Sequence, residues 1–123
     1  MCYKSLLKVK VQNLTRGVVL ACEVEVADTS RKRRKGLLGR TSLSEGEGLW
    51  ITPCEAIHTI GMKFPIDVLF LGRDRKVIKL KEAVPPGRIA VCLRAHSVLE
   101  LPAGTAAATS TAVGDRLEFE RVE

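Results

Sequence analysis

Residues 66–71, Ile-Asp-Val-Leu-Phe-Leu, are apolar at every position but one. A strand alternates its side chains between two faces, so a run without alternation leaves no face for water. The segment therefore fits a central strand that is buried on both sides. The exception, Asp67, then needs a reason, because a buried carboxylate is costly unless it is paired or hydrogen-bonded.

The rest of the chain supplies neighbours for such a strand. Leu7, Val9 and Val11 alternate with Lys8 and Lys10, which predicts a half-buried strand over 5–12. A polar turn over 13–17 leads into Val-Val-Leu-Ala-Cys-Glu-Val-Glu-Val, where Leu20, Cys22, Val24 and Val26 are expected on one face and Glu23 and Glu25 on the other. Those two strands read as a hairpin. Further short strands are expected over Leu49–Thr52, ended by Pro53, over Val77–Val84 with Ile78 and Leu80 on one face, over Ile89–Leu93, over Ser97–Leu101, and over Arg116–Val122 with Leu117 and Phe119 inward. Residues 57–62 fit no single pattern.

Two segments read as short helices. Asp28, Thr29 and Ser30 are all good N-caps, Arg31 to Leu38 follow without a β-branched residue, and Gly39 suits the position after the helix. Gly36 inside that span is expected to mark close backbone packing. Pro102 followed by an alanine-rich stretch reads as the second helix. With six to eight short strands, two short helices, no βαβ rhythm and no internal repeat, the fold class is mainly β: a compact antiparallel barrel or sandwich-like sheet in a single domain over 1–123.

Composition narrows the setting. Aromatics are only 4% of 123 residues, so the core must be built from Val, Leu, Ile and Ala. No stretch approaches the ~20 apolar residues of a membrane helix. Lys4, Lys8 and Lys10 interrupt the start, so neither a membrane span nor a signal peptide is expected, and the expected location is cytoplasmic. The cysteines at 2, 22, 54 and 92 then read as free thiols, with Cys22 and Cys92 as small buried hydrophobes.

The candidate chemistry centres on Asp67 and on Glu100, a second acid inside an apolar strand. A structural account is available for each: an arginine such as Arg94, or loop amides. The chain has two histidines, and each follows a cysteine by four residues, Cys54 to His58 and Cys92 to His96. In a strand such pairs stand about 13 Å apart, too far for one zinc, and the familiar Cys-x2-Cys spacing is missing. No metal and no cofactor are expected. His58 beside Asp67 or Glu100 makes a more plausible polar cluster, and Cys54 next to His58 would be the nucleophile of a cysteine chemistry. Met62 and Trp50 are expected to pack, with the option of lining a pocket.

Charge is uneven. Residues 1–40 carry ten Lys/Arg against three Asp/Glu, concentrated in Ser-Arg-Lys-Arg-Arg-Lys-Gly-Leu-Leu-Gly-Arg. Arg31, Lys32, Arg33, Arg34, Lys35 and Arg40 form a candidate polyanion surface, although a solvated helix face produces the same pattern.

Arg-Lys-Gly-Leu-Leu-Gly-Arg, Gly-Leu-Trp-Ile, His-Thr-Ile-Gly-Met-Lys-Phe-Pro-Ile-Asp-Val-Leu-Phe-Leu, Ser-Val-Leu-Glu-Leu-Pro-Ala-Gly-Thr and Val-Gly-Asp-Arg-Leu occur in this order. Together they resemble the uncharacterised family known as domain of unknown function 192, over about 18–122. The resemblance implies a compact, mainly β domain with two short helices and no settled activity, cofactor or substrate. The matching positions are Gly36, Leu37, Gly39, Arg40, Pro65, Asp67, Glu100, Leu101, Pro102, Gly104, Gly114 and Asp115. Many members are similar to Trp-Met-Lys-Asn-Thr where this chain has His58 to Met62, so His58 is not expected to be essential to any shared chemistry.

Three function classes follow. The favoured one is a binding module for a small ligand or a protein partner, using Asp67, His58, Glu100, Met62 and Trp50. The second is a small hydrolase using Asp67, Glu100 and His58, which requires both acids at one point, on one side of the sheet. The third is nucleic-acid binding through the basic helix, weakened by the scarcity of aromatics to stack bases. Whether any reaction is catalysed stays open, and a monomer is expected.

Overall fold

The computed structural model describes residues 8–122. Nine strands and two short helices follow one another as β1 (Lys8–Asn13), β2 (Val18–Ala27), α1 (Ser30–Lys35), β3 (Glu47–Ile51), β4 (Ala56–His58), β5 (Ile66–Leu71), β6 (Val77–Val84), β7 (Ile89–Val91), β8 (Ser97–Pro102), α2 (Thr105–Ala108) and β9 (Leu117–Arg121). Seven strands form one curled sheet in the order β6-β5-β8-β3-β2-β1-β9, and β4 and β7 pair as a separate ribbon. The sheet is a half-barrel. Its two edge strands meet at one end, where Lys76 bridges Arg116 and the Leu117 amide donates to the Arg75 carbonyl at 2.9 Å. The fold is therefore mainly β with two short helices, as the strand list implies. Among the described residues no helix is long and apolar enough to cross a membrane.

Strand β5 lies between β6 and β8, and all six of its residues are buried. Its two faces feed two cores. Leu69 and Leu71 point into the curl with Val11, Val24, Trp50, Leu99, Leu101 and Leu117. Ile66, Val68 and Phe70 point outward into a second core, which Leu37, Leu43, Ile57, Met62 and Ala90 cover from the segments outside the sheet. An apolar run without alternation has this double burial as its cause.

Asp67 faces the inner side, opposite Leu101 of β8. Its Oδ1 accepts the Ala83 amide at 2.8 Å and its Oδ2 accepts the Ala106 amide at 2.9 Å. Ala83 sits in a bulge of β6 with φ 49°, a backbone whose amide does not point into the ladder. Ala106 lies in the first turn of α2, whose N-cap is Gly104 and offers no side chain. One carboxyl thus ties down a bulge and caps a helix from a distant strand, which is the loop-amide account of a buried acid.

Several local expectations differ from what forms. The strand pair β2–β3 is parallel, with α1 in the connection between them, so one βαβ-like unit sits in an otherwise antiparallel sheet. Helix α1 ends at Lys35, because Gly36 adopts φ 51° and its amide returns to the Lys32 carbonyl. Gly36 is a helix stop rather than a packing site: a Cβ there would meet nothing closer than 4.0 Å. Cys22 is exposed, because the register of β1 against β2 slips between Val9 and Val11, and the Cys22 and Glu23 amides both donate to the Gly46 carbonyl. A bulge turns both residues outward. A second slip, in β6, sends Ile78 to the outer core and Leu80 to the inner one. The expectation for Leu7 lies outside the described residues.

Close approach sets one more position. A Cβ on Gly48 would lie 2.9 Å from Leu101 Cδ2 and 3.0 Å from the Glu100 carbonyl oxygen. Two substitutions test this frame by urea unfolding. Asp67→Asn places an NH2 against an amide that needs an acceptor and is expected to lower stability by roughly 2–3 kcal/mol. Gly48→Ala overpacks the β3–β8 contact and is expected to lower it by about 1–3 kcal/mol. Wild-type midpoints for either variant would contradict the assignment.

Candidate functional site

The pairing of β5 with β8 decides which polar residues meet. Asp67 stands opposite Leu101, and Val68 stands opposite Glu100. Neighbouring positions on a strand face opposite ways, so Asp67 and Glu100 lie on opposite sides of the sheet. Trp50 is on the inner side with Asp67. It stacks on Phe119 with ring centroids 4.2 Å apart, and the Arg75 guanidinium lies 4.5 Å from the Trp50 centroid. Met62 is buried in the outer core beneath the ribbon. The five candidate ligand residues therefore divide, and only His58 and Glu100 border the same cavity.

That cavity, of about 610 Å³, opens between α1 and the β3–β4 segment over the outer face of the sheet. Arg33, Arg34 and Lys35 line it from α1, Leu37 and Leu38 from the segment after it, Ile51, Cys54, Ile57 and His58 from β3 to β4, and Glu100 from β8. The helix lies over the sheet because Leu37 and Leu43 insert into the outer core just beyond it. The helical basic residues and the acid of the central strand border one space, although they are far apart in sequence.

Glu100 is 3% exposed. Burial pushes its carboxyl up to about 7 from an ordinary 4.5, and among the described residues nothing hydrogen-bonds to it. Arg94, the expected counter-ion, lines a separate cavity of about 440 Å³ with Arg73 and His96. Cys54 borders both spaces. Burial pushes its thiol up, and Glu100 and Glu55 add to that, against smaller opposing effects of the Ala56 backbone and the charge of Arg33. A thiol shifted in that direction is a poor thiolate nucleophile.

Two other acids, Glu47 and Asp115, have structural partners. Arg40 pairs with Glu47 at 3.0 Å, away from the cavity lining. The Ser44 amide, more than the Arg40 charge, holds the Glu47 carboxyl below its usual range despite some desolvation. Asp115 is buried and accepts from Asn13, Arg16 and Ala112 at 2.9–3.0 Å. Desolvation raises the Asp115 carboxyl, but these donors outweigh it and hold it below the ordinary value. Residues 92–96 form a turn rather than a continued strand, which removes the strand-length argument against a Cys92–His96 pair. Among the described residues no three His, Cys, Asp or Glu side chains are grouped to hold a metal ion.

The DUF192 family model, described as an uncharacterised ACR, matches residues 11–119. The chain belongs to this family. A UPF0127 protein of Pyrococcus furiosus is 34% identical over 116 residues, covering 89% of this chain and 97% of the relative. A UPF0127 protein of Thermococcus sibiricus is 32% identical over 113 residues, covering 88% of this chain and 73% of the relative. A crystal structure of a Novosphingobium aromaticivorans protein of unknown function superposes with a TM-score of 0.79 at 29% identity, covering 92% of this chain and 84% of that one. One of a Sinorhizobium meliloti protein, described as a “putative transcription regulator”, superposes with a TM-score of 0.81 at 25% identity, covering 97% of each chain. DUF192 carries no assigned activity, so the site has to be read from its own chemistry.

The Glu100 environment has a pH signature. Its folded-state pKa lies above the unfolded one, so between pH 4.5 and about 7 the folded state holds a proton that the unfolded state has released. Stability falls as pH rises through that window, by on the order of 3 kcal/mol in total. Asp115 acts in the opposite sense and at lower pH: its stabilisation is lost only as pH falls through its lowered pKa. Glu100→Gln should remove the fall, gaining on wild type steadily from pH 5 to pH 8 in urea unfolding. A constant difference between the two proteins across that range would contradict the assigned environment.

Proposed function

We propose that this protein is a small-molecule-binding module whose site is the cavity between α1 and the β3–β4 segment, with Glu100 as its buried polar anchor. One observation carries the reading: a carboxyl on a central strand, 3% exposed, borders a cavity and has no hydrogen-bond or ion-pair partner among the described residues. A buried polar group without a partner costs about 1–3 kcal/mol. A ligand that supplies the missing partner removes that cost on binding. The cavity has the size and mixed lining of ligand sites, with Leu37, Leu38, Ile51 and Ile57 as apolar walls.

In this reading Glu100 and His58 face the ligand, and Met62 packs beneath the ribbon. Asp67 and Trp50 hold the sheet from its inner side. The hydrolase alternative lacks its constellation, because its two acids are on opposite faces. The polyanion alternative rests on Arg31, Lys32, Arg33, Arg34, Lys35 and Arg40, of which Arg31, Arg34 and Lys35 are exposed, and it is the property under which the Sinorhizobium protein's regulator description would bear on this chain. Against it, Trp50 and Phe70 are buried and offer nothing for bases to stack on.

A fragment screen by methyl NMR tests the proposal. Hits that move the methyls of Leu38, Ile51 and Ile57 and fail to move them in Glu100→Gln support it. An absence of hits in this cavity, or hits indifferent to Glu100, would sink it. Retention on heparin that falls steeply with salt and drops in an Arg33→Glu/Arg34→Glu variant would favour the polyanion alternative instead.

A further inference from the structure

We propose that the ligand class of this cavity is a small zwitterion: a cationic amine leading toward Glu100, a short apolar linker, and an anionic group trailing at the α1 rim. The inference rests on the binding reading above and specifies it. It follows from how charge is ordered along the cavity. The sheet side offers one acid, Glu100, which forms no ion pair among the described residues. The helix side offers Arg33, Arg34 and Lys35, and α1 contains no acid to pair with them.

The same cavity is lined by Leu37, Leu38, Ile51 and Ile57. A simple amine would meet the basic rim first and be repelled there. A simple carboxylate would be held at the rim and would leave Glu100 unpaired. A molecule carrying both charges, separated by methylenes, answers the two ends and the apolar wall at once. Three other groups line the cavity beside Glu100: Cys54, Glu55 and His58. Cys54 presents a protonated thiol hydrogen-bonded to the Ala56 carbonyl at 3.1 Å, so it adds no charge. Glu55 and His58, from the loop before β4 and from β4 itself, are exposed on the outer part of the lining.

An ammonium set against Glu100 favours the ionised carboxylate, so binding releases the proton that burial had retained. The affinity for an amine-bearing ligand therefore rises from pH 6 to pH 8. A hydroxyl-bearing ligand that accepts a hydrogen bond from protonated Glu100 would show the opposite slope.

Three probes of similar length separate the possibilities: 6-aminohexanoate, hexanoate and hexylamine, titrated into the whole protein at low salt and followed at the Leu38, Ile51 and Ile57 methyls. The zwitterion is expected to bind at least about tenfold more tightly than either single-charge probe, the size of one charge-assisted contact. Glu100→Gln should lower zwitterion affinity to that of hexanoate, and Arg33→Ala/Arg34→Ala to that of hexylamine. Glu100→Gln is a safe variant for folding, since it removes a buried ionisable group while keeping its size. Hexanoate binding as tightly as 6-aminohexanoate, or affinity that falls from pH 6 to pH 8, overturns the zwitterion class and leaves the small-molecule reading standing. Failure of all three probes, alongside fragment hits of other chemistry in the same cavity, also overturns the class alone. Failure of all three with an empty fragment screen overturns both.

Discussion

Two carboxyl groups enter a sheet that water does not reach, one from each face, and the protein treats them in opposite ways. Asp67 receives an amide on each oxygen. Glu100 receives no donor among the described residues. The difference follows from what lies over each face. The inner face is closed by the curl of the sheet itself, so β6 and α2 come near enough to turn amides toward Asp67. The outer face is covered by separate pieces, the α1 segment and the β4–β7 ribbon, and they do not meet completely. The gap between them is the cavity, and Glu100 borders it.

A second buried polar network lies at the seam of the sheet. Asn13 is fully buried and donates to Thr111 and Asp115, while Arg16 closes on Asp115 from the other side. That network sits where β9 returns beside β1 and where the half-barrel nearly closes on β6. Three acids are thus excluded from solvent, Asp67, Glu100 and Asp115. Two of them join elements that are distant in sequence and have complete sets of donors. A chain with so few aromatics gains less from each buried side chain, and fixed polar joints at the curl's seams specify how its aliphatic layers come together.

Much of this was legible before any coordinates. Double burial of residues 66–71 follows from the lack of alternation, and the two acids that break apolar strands stand out for the same reason. What could not be read was phase. A bulge adds one residue to one strand, and whether it forms depends on the partner strand rather than on the local sequence. That is why Cys22 turns outward and why Ile78 and Leu80 part company. It is also why the donor from Ala83 was hidden: its amide is free only because β6 bulges there. Gly36 posed a different ambiguity, since close packing and a left-handed helix stop both call for glycine, and only the backbone angle separates them.

The basic helix and the buried acid were separate features in the sequence, and each suggested its own function. The crossover between β2 and β3 places the helix over the outer face, and Leu37 and Leu43 fix it there. Once that happens, Arg33 and Arg34 cannot be considered apart from Glu100, because they line the same space. Their side chains bring positive charge to the space bordered by an acid whose carboxyl burial pushes up. A surface evolved only to hold polyanions has no use for an unpaired carboxyl beneath it, since any charge there would oppose binding. A surface that admits one small molecule in a fixed orientation does have a use for it. The unpaired acid is therefore the stronger guide, and in the proposed reading the arginines above it form the outer half of the same site.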